Sequence, residues 1–269
     1  MYATDFKFDG ELASAHNLII CSFNGSEGTQ SVRNGADVKL TTSKSPSSNV
    51  WHHVNAQYDE VLTCVIQVMK FSCGNKENRY FTVQEQETIN RWLNRLDGYY
   101  PFQIIQDGYE NIFFNAQINV NKLELGGQVI GFELTVTTDK PYGYFETQDV
   151  HFQLTTNDQY SFLDKSDEVG SFDVIMKVTC LDAGSLTVSN SLTGQSFTVD
   201  GCIANEIISI DTEKRKISSS VRTNAELLKS FNFKWMTIGN TRTDRKNIIS
   251  STLPVNIEIA YNPICKIGL

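Results

Sequence analysis

The chain has 269 residues and a mass of 30.3 kDa, so it can bury about three quarters of its unfolded surface in one large core or two ordinary cores. Hydrophobic residues make up 40% and charged residues 20%, a composition that is typical of a folded globular protein and excludes a disordered one. The net charge of -8, with Lys and Arg scattered along the chain, argues against a nucleic-acid-binding surface, which needs a basic stripe.

The first residues, Met1–Asp5, lack the basic start and apolar stretch of a secretion signal, and no run of about 18 apolar residues follows them. We therefore expect a soluble protein that is made in the cytoplasm and does not insert into a membrane. Six cysteines are widely spaced and include no C-x-x-C pair, so we predict that most are small buried thiols. Cys64 and Cys180 each continue the apolar face of a strand pattern.

A polar segment runs from residue 24 to residue 48, with no aromatic residue and few apolar ones, among them Val38 and Leu40. It cannot form a core of its own. Such a segment is either a mobile loop or an extended arm that acquires structure against a partner, and composition alone favours the mobile loop.

The next segment, residues 59–73, has apolar residues at both odd and even positions between Val61 and Phe71. A strand with this pattern is covered on both faces, either inside its own domain or by a neighbouring subunit. If a neighbouring subunit covers this segment and the polar segment before it, the candidate oligomer-interface residues are Val61, Val65, Met69, Phe71, Val38 and Leu40.

One α-helix is predicted over residues 82–97. Thr82 and Glu85 have the spacing of a capping box at its start, and Gly98 is placed to end it. One buried stripe follows the spacing of helical turns and consists of Ile89, Trp92, Leu93 and Leu96.

A hairpin is predicted around Gly126–Gly127, since glycine can take the positive φ values of a two-residue turn. Pairing outward from this turn places Leu123 opposite Ile130. The apolar face changes parity farther out, which predicts a one-residue bulge near Asn121–Lys122.

The second half of the chain alternates with period two and is predicted to form half-buried strands of an antiparallel sandwich. The apolar faces of three such strands are Phe172 to Cys180, Phe231 to Trp235 and Ile257 to Tyr261. The fold class is therefore mainly β.

No signature of catalysis was found: the chain lacks a G-x-S-x-G elbow, a phosphate-binding loop and an H-E-x-x-H zinc helix. His52–His53 is the only histidine cluster, and adjacent strand residues point to opposite faces and do not share a metal easily. Asp164, Asp167 and Glu168 are predicted to lie in a solvated turn. We expect no catalytic residue, cofactor or metal.

An aromatic cluster, Tyr142, Tyr144 and Phe145, follows Pro141. Its rings either pack at a domain junction or form a platform on which a sugar ring stacks, and the position beside a junction favours packing.

The order of these features resembles the distal tail protein family of tailed bacteriophages. The resemblance spans nearly the whole chain and is carried by the following stretches: FKFDGELASAHNLIICSF, NRLDGYYPFQII, FELTVTTDKPYGY, EIISIDTEKRKISSS, FNFKWMTIGN and VNIEIAYNP. It implies a homohexameric ring formed by the N-terminal halves, with galectin-like or jelly-roll C-terminal halves projecting outward. The implied fold is an N-terminal β-sandwich or split barrel with one helix and an extended arm, followed by a β-sandwich.

The resemblance also implies domain boundaries. The ring-forming domain is residues 1–140 and the peripheral galectin-like domain is residues 141–269, with the boundary within residues 138–148. Proline at the junction cannot donate to a continuing ladder, so the hinge is predicted at Pro141, Tyr142, Gly143 and Tyr144.

Two functions follow. The first is a structural, non-enzymatic hub at the virion tail tip that joins the tail tube protein to the tail-associated or tail fibre protein and leaves a central channel. Tape measure protein and receptor-binding protein are further implied partners. The alternative is a carbohydrate-binding module that recognises host cell-surface polysaccharide.

Overall fold

The computed structural model describes residues 3–21, 35–71, 79–156 and 158–266. The protein is mainly β, and the described chain divides into two compact units. Unit 1 comprises the residues up to Tyr144 together with Lys266, and unit 2 comprises Phe145–Cys265. The predicted fold class, mainly β with two domains, is confirmed.

Unit 1 is built on one antiparallel sheet in the order β2-β1-β7-β8-β9-β6-β3, with a separate two-stranded sheet of β4 and β5. A 3-10 helix covers Ala13–His16 and helix α1 covers Val83–Leu93. The strands are β1 (Asp5–Phe8), β2 (Glu11–Leu12), β3 (Leu18–Cys21), β4 (Val38–Lys44), β5 (Trp51–Tyr58), β6 (Thr63–Lys70), β7 (Tyr100–Ile105), β8 (Ile112–Leu125), β9 (Gln128–Thr138) and β10 (Gly143–Phe145), whose last residue is the first of unit 2.

The core of unit 1 lies between the sheet and α1. Trp92 of the helix stacks on Phe6, with ring centroids 5.9 Å apart, and its indole N–H donates to the carbonyl of Phe8. Phe102, Phe114 and other fully buried rings extend this core along the sheet. The aromatic side chains therefore fix the helix against β1 and β7 by both packing and a hydrogen bond.

Helix α1 begins as predicted and ends earlier. The capping box of Thr82 and Glu85 is present, but the helix ends at Leu93 instead of residue 97. Leu96, predicted in the buried stripe, is 89% exposed. The chain leaves the helix because Arg95 forms tertiary contacts: its guanidinium lies 2.6 Å from Asp9, and its carbonyl accepts from Gln117.

The β8–β9 hairpin contains the predicted turn and a bulge at a different position. Gly126 and Gly127 both have positive φ. Leu123 pairs with Gly131 and not with Ile130, because the register shifts between Leu123 and Glu124 and leaves Ile130 as the extra residue. The bulge therefore lies in β9, not at Asn121–Lys122.

The predicted polar arm contains a strand. Residues 24–34 lie outside the described residues, but β4 pairs with β5 in an antiparallel hairpin that extends to Tyr58. The prediction of a mobile loop is therefore wrong for residues 38–44. Backbone hydrogen bonds with β5 hold this segment as a strand, although its side chains form no core.

Unit 2 is a sandwich of two antiparallel sheets, in the orders β11-β21-β14-β17-β18 and β12-β20-β15-β16, with a further pair of β13 and β19. Helix α2 covers Asn224–Ser230. The strands are β11 (Gln148–Leu154), β12 (Gln159–Leu163), β13 (Gly170–Phe172), β14 (Ile175–Cys180), β15 (Gly184–Asn190), β16 (Gln195–Cys202), β17 (Ile207–Asp211), β18 (Lys216–Ser219), β19 (Ile238–Asn240), β20 (Lys246–Ser251), β21 (Val255–Tyr261) and β22 (Ile264–Cys265).

The core of unit 2 lies between its two large sheets. Val178 of β14 and Ile257 of β21 come from one sheet, and Val188 of β15 and Phe197 of β16 come from the other. All four are buried. Burial alternates along β14 and β21, so the predicted half-buried strands that end at Cys180 and Tyr261 are present.

Two features of unit 2 differ from the prediction. Residues Phe231 to Trp235 form no strand; Phe231 makes one isolated bridge to Val199, and Phe233 takes a positive φ of 55° that interrupts extended backbone. Just before it lies α2, which the sequence analysis missed and which is only seven residues long.

Candidate functional site

The β4–β5 hairpin has one apolar and one polar face. Residues that pair directly in a hairpin share a face, and Val38 pairs with Tyr58 while Leu40 pairs with Ala56. Trp51 lies on the same face near the tip, below the ammonium of Lys44 at 5.7 Å. The other face carries polar side chains: Lys39, Thr41, Asn55 and Gln57.

The apolar face of the hairpin is open to solvent in the single chain. Every residue of β4 is exposed, with Leu40 exposed over 63% of its surface, and Trp51 is exposed as well. A two-stranded hairpin by itself is marginally stable in water. Its base contacts the rest of unit 1 through Tyr58, whose ring lies 6.2 Å from the ring of Tyr142. The two strands are joined to each other at the base, where the N–H of Asp59 donates to the carbonyl of Asp37.

A second apolar surface lies on the outer face of β6 and β3. Ile66 and Val68 of β6 point into the core, whereas Val65 on the opposite face is 57% exposed. Met69 on that face is half-buried and pairs with Ile19 of β3, which is exposed. We call this the β3–β6 face: Ile19, Val65, Met69 and Phe71, which is exposed just after β6.

The β3–β6 face is bordered by polar side chains on the neighbouring strand β9. Val65 pairs with Thr135, and Gln67 pairs with Glu133 and donates to its carboxylate at 3.0 Å. An apolar centre beside a polar border is the usual composition of a protein–protein interface.

The predicted interface residues therefore fall on two surfaces of unit 1. Val38 and Leu40 lie on the hairpin, Val65, Met69 and Phe71 lie on the β3–β6 face, and Val61 is half-buried before β6 begins. Their role as an interface stays a prediction.

The predicted hinge residues are closely packed. Tyr142 contacts Tyr58 at 6.2 Å and Tyr144 at 5.9 Å. Burial, and next the charge of Asp139, raise the pKa of Tyr144 to about 12. A Cβ on Gly143 would lie 2.7 Å from a ring carbon of Phe114, so only glycine fits there. These contacts favour packing over a sugar-binding platform.

The acidic turn was predicted to be solvated, but one of its three acidic residues is buried. Asp164 is buried and accepts hydrogen bonds from the backbone and hydroxyl of Ser166 and from the amide of Asn240, whereas Asp167 is exposed. These donors replace water around the carboxyl oxygens, which offsets the cost of burying them. In the described ranges, no group of three His, Cys, Asp or Glu residues could hold a metal ion.

Four of the described cysteines, Cys21, Cys64, Cys180 and Cys202, are free thiols. Cys180, Cys202 and Cys265 are buried, Cys64 is half-buried, and burial raises the pKa of Cys64 to about 12. Cys73 lies outside the described residues.

One charged cluster was missed from the sequence. Glu206 is buried in unit 2 and its carboxylate lies 2.8 Å from the guanidinium of Arg222, which also donates to the sulfur of Cys202 at 3.5 Å. The two charged residues are sixteen positions apart and carry no local pattern that predicts a pair. Within the described part of the chain, no helix is long and apolar enough to cross a membrane.

The comparisons with known proteins agree with the two-unit architecture. A family model described as a phage tail protein N-terminal domain matches residues 1–140, which is more than half of the chain. The chain belongs to this phage tail protein family. A second model, described as a phage tail C-terminal domain, matches residues 142–261 of the phage tail protein. A search of curated proteins found no match to this chain.

Solved structures share the fold of this phage tail protein at low sequence identity. The crystal structure of SPP1 Dit, described as a paradigm of the hub adsorption apparatus in phages that infect Gram-positive bacteria, is 11% identical. Its TM-score is 0.67, with 96% of this chain and 98% of that chain covered. A chain of the phage P2 baseplate in its activated conformation with Ca is 10% identical, with a TM-score of 0.51 and coverage of 97% and 98%.

Proposed function

We propose that this phage tail protein is a structural distal tail hub, in which copies join through unit 1 to form a hexameric ring at the tip of the virion tail. The observation that carries the proposal is the pair of uncovered apolar surfaces on unit 1, the apolar hairpin face and the β3–β6 face. The shared fold with SPP1 Dit and with a phage P2 baseplate chain supports it.

The two surfaces suggest a head-to-tail contact. They are different patches, so the hairpin of one copy seated on the β3–β6 face of the next copy gives a heterologous interface. Such an interface generates a ring when its rotation closes. Covering Leu40 and Val65 in this way removes exposed apolar area from water, which is favourable. Both surfaces consist of residues of unit 1 alone, so we assign unit 2 to the periphery of the ring.

The ring leaves a channel along its axis and two faces. One face contacts the tail tube protein and the other the tail-associated or tail fibre protein, with unit 2 available to a receptor-binding protein. The net charge of -8 suits a channel that does not retain passing DNA. The proposal assigns no reaction to the chain.

The first experiment tests each surface separately. Leu40→Glu places a charge on the hairpin face and Val65→Glu places one on the β3–β6 face, and each variant is expected to be monomeric by light scattering while the unaltered chain assembles. The matched control is Leu163→Glu, since Leu163 is 65% exposed in unit 2 and its change leaves assembly intact.

Mixing the two variants tests the head-to-tail arrangement. The Leu40→Glu copy retains its β3–β6 face and the Val65→Glu copy retains its hairpin, so an equal mixture should form a heterodimer of about twice the monomer mass and no larger species. Absence of that heterodimer would exclude the proposed contact. A wild-type chain that stays monomeric, even with tail tube protein, would exclude the hub.

A further inference from the structure

The segment Phe231 to Trp235 in unit 2 presents an aromatic ring to solvent. Phe233 lies at its centre, belongs to no helix or strand, and is 62% exposed. The flanking residues Phe231 and Met236 are buried, so the segment leaves the core, exposes one ring and returns.

The backbone at Phe233 is held in an unfavourable conformation. Its φ is 55°, in the left-handed region that bulky residues rarely adopt. Local contacts enforce this conformation: Asn232 donates its N–H to the carbonyl of Thr198 at 3.1 Å, and its side-chain oxygen accepts from the N–H of Lys234 at 3.1 Å. Strained residues of this kind cluster at binding sites.

The ring of Phe233 belongs to a preorganised aromatic group. Phe231 contacts Phe233 at a centroid distance of 5.4 Å and Trp235 at 5.1 Å. The guanidinium of Arg215 lies 5.6 Å from the ring of Trp235. Aromatic and arginine side chains that are fixed before binding are those that dominate interface affinity.

The surroundings of this group are basic in a protein whose net charge is -8. Arg215, Lys216 and Lys234 are exposed, and Lys214 beside them lies 3.6 Å from Asp211. Glu213 is the acidic residue of the same turn. The charge complementary to this patch is negative.

We propose that Phe233, Trp235 and Arg215 form a docking surface for an acidic, aromatic-containing segment of a partner protein. A protein segment is favoured over a glycan for two reasons. Arg215 already occupies a face of Trp235 on which a sugar would stack, and the exposed ring of Phe233 has no hydroxyl group with which to orient a sugar.

Binding is tested with a fluorescein-labelled peptide of alternating Glu and Tyr residues, added to the full chain at low salt. The peptide should bind, and Arg215→Gln and Phe233→Asn should each weaken binding by about tenfold or more. High salt should weaken binding to the unaltered chain, because the contact is partly ionic. The matched control is Tyr99→Asn, which removes an exposed ring from unit 1 and should leave binding unchanged.

Thermal unfolding separates docking from a structural role. Asn tolerates the left-handed conformation better than Phe, so Phe233→Asn should leave Tm unchanged or raise it while peptide binding falls. A lowered Tm with intact peptide binding would show that the ring only packs. Failure of the unaltered chain to bind the peptide, or tighter binding of a heparin oligosaccharide, would also overturn the proposal.

Discussion

Glu206 is a charged side chain with no exposed surface. Burial raises the pKa of Glu206, but hydrogen bonds from the hydroxyl of Ser219 and from Arg222 outweigh it, together with the backbone N–H of Ile203, and the pKa is lowered overall. Arg222 also donates to the carbonyl of Asp200. The carboxylate is therefore a stabilising group at neutral pH, because its ionised form has partners that the unfolded chain does not supply.

Replacing Arg222 with Met should lower the free energy of unfolding by about 3–5 kcal/mol at pH 7, since Glu206 is left buried without its cation. Urea denaturation measures the change. The matched control is Lys177→Met, because Lys177 and Glu258 form an exposed pair 4.0 Å apart that is worth less than about 1 kcal/mol. Equal losses in the two variants would contradict this assignment.

The same pair predicts a pH dependence. Because the pKa of Glu206 is lowered in the folded protein, its contribution to stability is fully present above the pKa that it has in the unfolded chain. That contribution is lost as the pH falls through the lower pKa of the folded state. Without Arg222 the pKa of Glu206 rises, so the difference in stability between the wild type and Arg222→Met should shrink as the pH falls from the raised pKa of the variant to the lowered pKa of the wild type. Urea titrations at several pH values measure this.

Among the secondary-structure elements, α1 begins where it does because of contacts between residues that are close in sequence. Glu85 accepts from the backbone and the hydroxyl of Thr82, and its own N–H donates back to that hydroxyl. Thr82→Ala should therefore cost about 1 kcal/mol of stability in urea denaturation. Thr88→Ala, at an exposed site within the helix, should leave the stability unchanged or raise it, because alanine has the higher helix propensity. A loss similar to that of Thr82→Ala would contradict the cap as the explanation.

The elements also show where local reasoning stops. The end of α1 depends on Asp9, in the turn after β1, and on Gln117 of β8, which both bind Arg95 from distant parts of the sequence. The bulge in β9 lies at Ile130, where it allows both Val129 and Phe132 to point into the core. Helix α2 has a capping box but too few turns for its apolar period to stand out.

For the whole chain, the division into two units predicts independent folding. Among the described residues, the buried members of the hydrophobic core of unit 2 lie between Leu154 and Tyr261, and Val150 and Phe152 of the same unit pack against them. A fragment spanning Phe145–Cys265 should therefore fold alone, with a cooperative urea transition followed by circular dichroism. It should also remain monomeric, since both proposed self-association surfaces are in unit 1. A fragment that is unfolded, or that assembles as the full chain does, would contradict this division.

Patterns between near neighbours in the chain were sufficient for the strands that end at Cys180 and Tyr261, the capping box at Thr82 and the turn at Gly126–Gly127, because alternation, caps and tight turns depend on adjacent residues. They also indicated that Val38, Leu40 and Val65 lacked an obvious core. Which faces stay open to water, the burial of Glu206 against Arg222 and the exposure of Phe233 depend on residues that meet only after folding. These features followed from the three-dimensional packing, because burial and ion pairing are properties of distances in space and not of positions along a chain.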